Sequence, residues 1–397
     1  MKGLTTTAPT HTYHPHTLFG FASHIFLPKG YPTSVSPDYL TYQLFDTLQG
    51  LASYIAGTLS SRALLVGMGV GSASATPAAA MLVTLTRDSV SMISSLTAST
   101  LAPHSIALYP RGWRLVADVL NDAALMVELG SALAPPSAFV PLVALAAGMR
   151  AVVGVAGGST RAVFRAHQAR NHNLSDVAAK DGGQEIAVSL LGLLAGFILT
   201  PIMAHDSVAC WVFFLLAIAL HLWANYAAVS SLILDSLNPT RTSILIASFL
   251  EYPSSTLPSP AQLASSVPFF PSPFASSSPV PPPPVLGCQA GDLKGVSLAT
   301  LKAYHAHGLP FIADAHNHVA FLVSTTPDDG GAPSPSDTLR SYFFAHVLHA
   351  RQPVHITHDT LSSLSVLFSQ FLLAAQSAGW ETSRIALPTT STRVSFV

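Results

Sequence analysis

The chain has 397 residues, 18 of them Lys or Arg and 19 Asp or Glu, so net charge is −1 and charged residues are only 9%, against 49% apolar. A soluble chain carries about 25% charge and a water-facing surface about 25–35%, so the composition excludes a disordered polyelectrolyte and leaves two readings, a neutral Ser/Ala/Thr-rich surface or a surface that partly faces lipid, of which the runs below favour the second. No basic excess is available to displace phosphate counterions, so no nucleic-acid partner is expected.

In chain order, residues 1–26 read as an extension; residues 1–37 lack acidic side chains and are rich in Thr and His. Residues 1–30 hold no apolar core of signal-peptide length. Residues 27–250 read as helical almost throughout. The runs Ile186–Ala204 and Ser207–Leu234 carry no Asp, Glu, Lys or Arg. Each is long enough to span about 30 Å of hydrocarbon, and they predict a transmembrane hairpin turning at His205-Asp206, with Pro201 nearby. Two further candidates are Ala138–Ala156, interrupted by Arg150, and the Gly- and Ala-rich Ala63–Leu85. Arg161, Arg165, Arg170 and Lys180 precede the hairpin and place that side in the cytosol or its equivalent.

Residues 251–292 read as a linker without a core. No charge falls between Glu251 and Asp292, and prolines crowd there, including Pro281–Pro284. Residues 293–397 read as a small α+β domain. Strands are expected at Phe311-Ile-Ala-Asp314, Val319–Val323 and Arg384–Leu387, and helices at Asp337–Arg351 and Thr360–Ser377. Gly379-Trp380 closes the last helix. The expected fold is thus mainly α: a membrane-embedded multi-helix domain, a Pro-rich linker and a small α+β domain.

Polar groups within the apolar half are the informative ones. Asp118, Asn121 and Asp122 share a helix face, with Arg114 one turn earlier, a spacing at which Arg and Asp pair. Asp181, Gln184 and Glu185 repeat that geometry beside Lys180, and Asp46, Gln49 and Ser53 form a third stripe. The three D-x-x-[QN] segments suggest an internal repeat, each opening an apolar helix. Ionisable groups at membrane depth are costly and usually line a cavity or pathway; salt bridges and helix caps at the bilayer surface are the plainer reading.

Gly67-Met-Gly-Val-Gly71 and Gly154-Val-Ala-Gly-Gly158 fit neither G-x-G-x-x-G nor the P-loop, and read as close helix packing. Seventeen histidines are many, yet Asp314-Ala-His316-Asn-His318, His346/His349 and His355/His358 lack the further ligands a metal needs, and read as solvated surface groups. Cys210 and Cys288 make neither a disulfide framework nor a zinc cage. No nucleophile–His–acid frame is present, so a non-enzymatic protein without cofactor or metal is expected.

Several segments together resemble the root UVB sensitive family. They are Leu27-Pro-Lys-Gly-Tyr-Pro-Thr-Ser-Val, Asp38-Tyr-Leu-Thr-Tyr-Gln-Leu-Phe-Asp-Thr-Leu-Gln-Gly-Leu and Ala63-Leu-Leu-Val-Gly-Met-Gly-Val-Gly. Trp113-Arg-Leu-Val-Ala-Asp-Val-Leu-Asn-Asp, Ser159-Thr-Arg161-Ala and Asn173-Leu-Ser-Asp176-Val-Ala-Ala-Lys-Asp-Gly-Gly-Gln-Glu follow, then Asn225-Tyr-Ala-Ala-Val and Leu237-Asn-Pro-Thr-Arg241. They run in family order over residues 27–250. Phe45 stands where Trp is usual, His172 where Gly is usual and Ser230 where Arg is usual. The resemblance implies a link to vitamin B6 homeostasis and UV-B responses, with no established catalytic activity. Together with the uncharged runs and the repeated polar segments, it suggests a membrane protein of an intracellular organelle that carries or senses a small metabolite, with membrane lipid as its surroundings and a paralogue or second copy as partner. An adaptor holding a B6-dependent enzyme is the alternative.

Overall fold

The computed structural model describes residues 26–69, 76–101, 103–202, 207–252, 256–270, 284–293, 296–316, 318–322, 334–353, 355–387 and 393–394. Proline sets many of the helix starts. Its fixed φ suits the first turn, where its missing N–H costs nothing. The helices beginning at Pro77, Pro103, Pro110, Pro136, Pro239, Pro260 and Pro335 all use it.

The chain divides into two units, Met1–Leu232 and Ile233–Val397. The first contains α1 (Tyr39–Gly67), α2 (Pro77–Leu101), the short α3 (Pro103–Leu108), α4 (Pro110–Ser131), α5 (Pro136–Gln168), α6 (Leu174–Ile202) and α7 (Ser207–Ser231). The six long helices alternate in direction. Residue pairs fix this. Arg114 meets Asp46, Asn121 meets Ser53 and Glu128 meets Ser60, always 68 positions apart, so α4 runs parallel to α1. Gln43 meets Asp181, 138 positions on, and Gly192 and Gly196 keep that offset against Tyr54 and Thr58, so α6 is parallel to α1 too. A Cβ at Gly192 would fall 2.5 Å from Tyr54 Cδ1, so this contact requires glycine. On α7, Trp223 lies on Phe45 and Phe214 packs among Ala56, Leu59 and Leu125, which makes α7 antiparallel to α1.

Three of these helices are long and apolar enough to cross a membrane: Pro136–Gln168, Leu174–Ile202 and Val208–Ser231. Their outward faces carry large apolar side chains. Ile186 on α6 is 72% exposed and Phe197 is 69% exposed, and Val208, Leu216 and Trp223 on α7 are exposed as well. The expected hairpin helices are both present, while their turn at His205-Asp206 lies outside the described residues. Ala63–Leu85 is not one span. It is shared between the end of α1 and the start of α2, because Gly67 leads into a turn with Gly69 at φ 84°. Residues 70–75, including Gly71, lie outside the described residues, as do residues 1–25 of the expected extension.

The second unit holds β1 (Ser236–Leu237), α8 (Pro239–Glu251), α9 (Pro260–Ala264), β2 (Val285–Leu286), α10 (Leu298–Ala306), β3 (Phe311–Ala313), β4 (His318–Leu322), α11 (Pro335–Arg351), α12 (His358–Ser377), β5 (Glu381–Ile385) and β6 (Arg393–Val394). β3 and β4 pair antiparallel, β2 and β6 each pair parallel with β4, and β1 pairs parallel with β5. The core is aromatic. Tyr342, Phe343 and Phe344 of α11 are fully buried against Phe311, Phe371 and Phe249.

Two sequence expectations are corrected here. The chain is helical almost throughout up to Glu251, as expected, but the last helix of that stretch, α8, does not belong to the first unit. Leu245, Ile246 and Phe249 of α8 belong to the second unit's core, so the division falls at 232/233. Nor is 251–292 without a core. Leu257, Leu263, Val267 and Leu286 are buried in the same cluster. Ser259 caps α9 in a capping box with Gln262, and Trp380 Nε1 donates to Pro258 O at 2.8 Å. Here the lack of charge marks buried chain, and the apolar residues among the prolines supply the anchors. Pro281, Pro282 and Pro283 lie outside the described residues.

Candidate functional site

The three D-x-x-[QN] segments sit inside their helices, not at their starts. Asp46, Asp118 and Asp181 each come about two turns after the first residue of α1, α4 and α6, beyond the reach of the helix dipole's first turn. Because those helices are parallel, with Asp118 beside Gly50 of α1 and Asp181 beside Gln43, the three aspartates fall within about two turns of one another. There they face a cavity of about 770 Å³, within the 300–1,000 Å³ typical of small-molecule sites.

Arg114 joins two of them, with Nη2 at 3.1 Å from Asp46 and Nε at 3.2 Å from Asp118. Gln49 Nε2 donates to Asp46 at 3.1 Å, and Asn121 Nδ2 to Ser53 Oγ at 3.2 Å. Across the cavity, α5 presents Arg161 to Glu185 at 2.6 Å and Arg165 Nε to Asp181 at 2.6 Å. Gln184 lines the cavity and donates to Phe26 O at 2.8 Å. Asp46, Gln49, Arg114, Asp118, Asn121, Arg161, Asp181, Gln184 and Glu185 therefore converge, as the sequence suggested.

Three of the expected residues do not line the cavity. Asp176 accepts the backbone N–H of Lys29 at 2.7 Å and so fastens the Leu27–Val35 segment to α6. Asp122 is buried and takes Nδ1 of His221 at 2.8 Å. Lys180 lies outside the lining residues.

Sequence reasoning missed four groups. Glu128, 1% exposed, takes Arg87 and Arg150 at 3.3 Å each and Ser60 Oγ at 3.1 Å. His221 and Arg165 were hidden in long apolar or basic runs. The fourth is a correction. Gly154, Gly157 and Gly158 do not serve close packing, since a Cβ at any of them would meet nothing within 4 Å. They line the cavity on the face of α5 shared by Arg150 and Arg161. Spacing 150, 154, 157, 161 is the signal that would have found this face.

Of the second unit's named histidines, His316, His355 and His358 are exposed, as expected, while His318, His346 and His349 bond within the protein. Asp314 Oδ1 accepts the N–H groups of His316 and His318, and His318 Nδ1 lies 3.2 Å from Asp314 Oδ2. His346 is buried, not solvated. Its Nε2 is 2.9 Å from Ser243 Oγ, and burial, with His349 nearby, pushes its pKa down to about 4. Burial pushes the Cys288 thiol up to about 11, an unreactive thiol at neutral pH. Among the described residues no group of three or more His, Cys, Asp or Glu is placed to hold a metal.

The architecture defines a helical-bundle protein with membrane-compatible outer faces and a charged interior cavity. Residues 13–252 match the family described as the vitamin B6 photo-protection and homoeostasis domain. The chain belongs to this family, that of the root UVB sensitive proteins. It is 31% identical to Protein root UVB sensitive 3 of Arabidopsis thaliana, over 94% of this chain and 85% of that one. It is 39% identical to RUS family member 1 of Dictyostelium discoideum, over 60% of this chain and 46% of that one. Protein root UVB sensitive 2, chloroplastic, of Arabidopsis thaliana is 27% identical over 94% of this chain and 84% of its own length. No solved structure is matched.

Proposed function

We propose that the first unit is embedded in an intracellular membrane and that its cavity carries or senses a small polar metabolite of the vitamin B6 class without transforming it. The observation that carries this reading is the pairing of opposites in one bundle. Charged side chains of four helices point into a cavity of about 770 Å³, while the outer faces of α6 and α7 present large apolar side chains. Lipid covers such faces without cost, and inward charges in a bilayer mark ligand or ion pathways. The carboxylates Asp46, Asp118, Asp181 and Glu185 each bond an arginine, which suits holding a charged ligand better than exchanging protons. A B6 vitamer is small, ring-shaped and polar at several edges, and fits a cavity of this size and lining. The family description and a relative named chloroplastic are in keeping with this function and an organelle setting.

Two measurements test it. Carbonate washing of isolated membranes leaves the protein in the pellet; release into the supernatant overturns the membrane part. Purified full-length protein in nanodiscs retains labelled pyridoxal in equilibrium dialysis, and Asp118→Asn weakens it. No retention of any B6 vitamer overturns the ligand part.

A further inference from the structure

The charges of the cavity are not evenly placed. At the level of Asp46, three guanidiniums (Arg114, Arg161, Arg165) meet four carboxylates (Asp46, Asp118, Asp181, Glu185). At the other end Arg150 lines the cavity and shares one carboxylate, that of Glu128, with Arg87; neither Glu128 nor Arg87 lines it. The first end is formally short of a positive charge, and the second has one to spare. Residues 150 and 161 are 11 positions apart on α5, about 16 Å along the axis.

Glu128 has nothing more to give. Its Oε1 is taken by Arg87 and its Oε2 by both Arg150 and Ser60. Arg87 Nε is enclosed and has no acceptor among the described residues. Arg150 lines the cavity with 45% of its side chain open and spends Nη1 on Glu128. A guanidinium has five N–H donors in a fixed fork, so Arg150 keeps donors beyond the one spent on Glu128 for a group in the cavity. Leaving a cation short of partners among apolar helices is costly, and Glu128 fixes this one in place rather than neutralising the pair.

We propose that Arg150, held by Glu128, is the recognition point for an oxyanion on the cavity's ligand, and that a phosphomonoester, which offers the most acceptors to the fork, is the group it takes. This rests on reading the cavity as a ligand site, and it names which end of the ligand goes where. The anionic group lies at Arg150, and the body of the ligand lies along the open wall of α5 beside Gly154 and Gly157. Arginine suits this better than lysine because its planar fork binds oxyanions bidentately.

The test uses full-length protein in phosphatidylcholine nanodiscs, with pyridoxal and pyridoxal 5′-phosphate as probes. A charge-assisted contact predicts about tenfold tighter binding of the phosphate ester. Arg150→Gln brings the two affinities together, and Arg150→Lys restores part of the gap. Equal affinities in the wild type, or a preference that survives Arg150→Gln, overturn the proposal. Should neither vitamer bind, the B6 reading fails alone, and two further arms decide the anion site. Thermal stabilisation of the wild type, absent in Arg150→Gln, upholds the site: seen with inorganic phosphate it assigns a soluble ligand, and seen only with phosphatidic acid in the disc it assigns a lipid headgroup. No stabilisation by either overturns it.

Discussion

Glu128 Oε2 accepts Nη1 of Arg150 at 3.3 Å, with the carboxylate 2% and the arginine side chain 45% exposed. The asymmetry predicts unequal costs. Removing the enclosed carboxylate strands two guanidiniums in the bundle, and breaking a buried ion pair in this way costs about 3–5 kcal/mol. Removing the half-exposed arginine leaves Glu128 with Arg87 and Ser60, and costs about 1 kcal/mol, the scale of a part-solvated pair. Denaturant unfolding in mild detergent should therefore rank Glu128→Gln far below Arg150→Gln. Equal loss in the two variants would show that Glu128 is not the hub.

Two sets of glycines should answer oppositely to alanine. At Gly192 a Cβ would lie 2.5–2.7 Å from Cδ1, Cγ and Cβ of Tyr54, the root of a ring that cannot swing aside. Overpacking of this kind costs about 1–3 kcal/mol, more than the roughly 1 kcal/mol that alanine gains in helix propensity. Gly192→Ala is expected to lower the melting temperature. At Gly157 nothing lies within 4 Å, so Gly157→Ala keeps the propensity gain and raises it. A bulkier Gly157→Leu fills cavity space and is expected to fold while binding ligand more weakly. Paired thermal melts and dialysis check both halves.

Much of the cavity was legible because helical spacing alone puts Asp118 and Asn121, or Asp181, Gln184 and Glu185, on one face, and charge is conspicuous in an apolar run. What spacing cannot give is register between helices. That depends on contacts such as Gly192 on Tyr54, so the convergence of Asp46, Asp118 and Asp181 on one cavity emerged only in three dimensions. Glu128 escaped notice because its partners, Arg87 and Arg150, lie on other helices. Residues 256–270 were misread for a physical reason as well. Uncharged, proline-rich chain looks the same whether it is free or, like Leu257 and Leu263, buried.

His172 adopts φ 53°, the left-handed region that costs an ordinary L-residue about 1–2 kcal/mol. It lies between α5 and α6, in a conformation that suits glycine better than an ordinary L-residue. His172→Gly removes the strain but also loosens the unfolded chain. The net is expected to be a stabilisation of about 0.5–1 kcal/mol, visible as a rise of a few degrees in a thermal melt. A fall would mean that the imidazole makes a contact worth more than the strain.

His346 gives the second unit a pH dependence of defined sign. It lies between α11 and α8, where Ser243 Oγ is 2.9 Å from both His346 Nε2 and the Tyr342 hydroxyl, and Tyr342 donates to Pro239 O at 3.0 Å. Burial holds its folded pKa at about 4, below the ordinary 6.5. Between these values the unfolded chain binds the extra proton and the folded one does not, so stability rises with pH there. The contribution is fully present above pH 6.5 and is lost as pH falls towards 4. At about 1.4 kcal/mol per pH unit of gap, the loss between pH 7 and pH 5 is on the order of 2 kcal/mol. Hydrogen exchange of the 239–251 and 335–351 peptides in the full-length protein, corrected for intrinsic rates, should quicken across that range. In His346→Gln, whose amide N–H can still donate to Ser243 Oγ but does not titrate, the same peptides should respond much less. A pH response unchanged by the substitution would place the titrating group elsewhere.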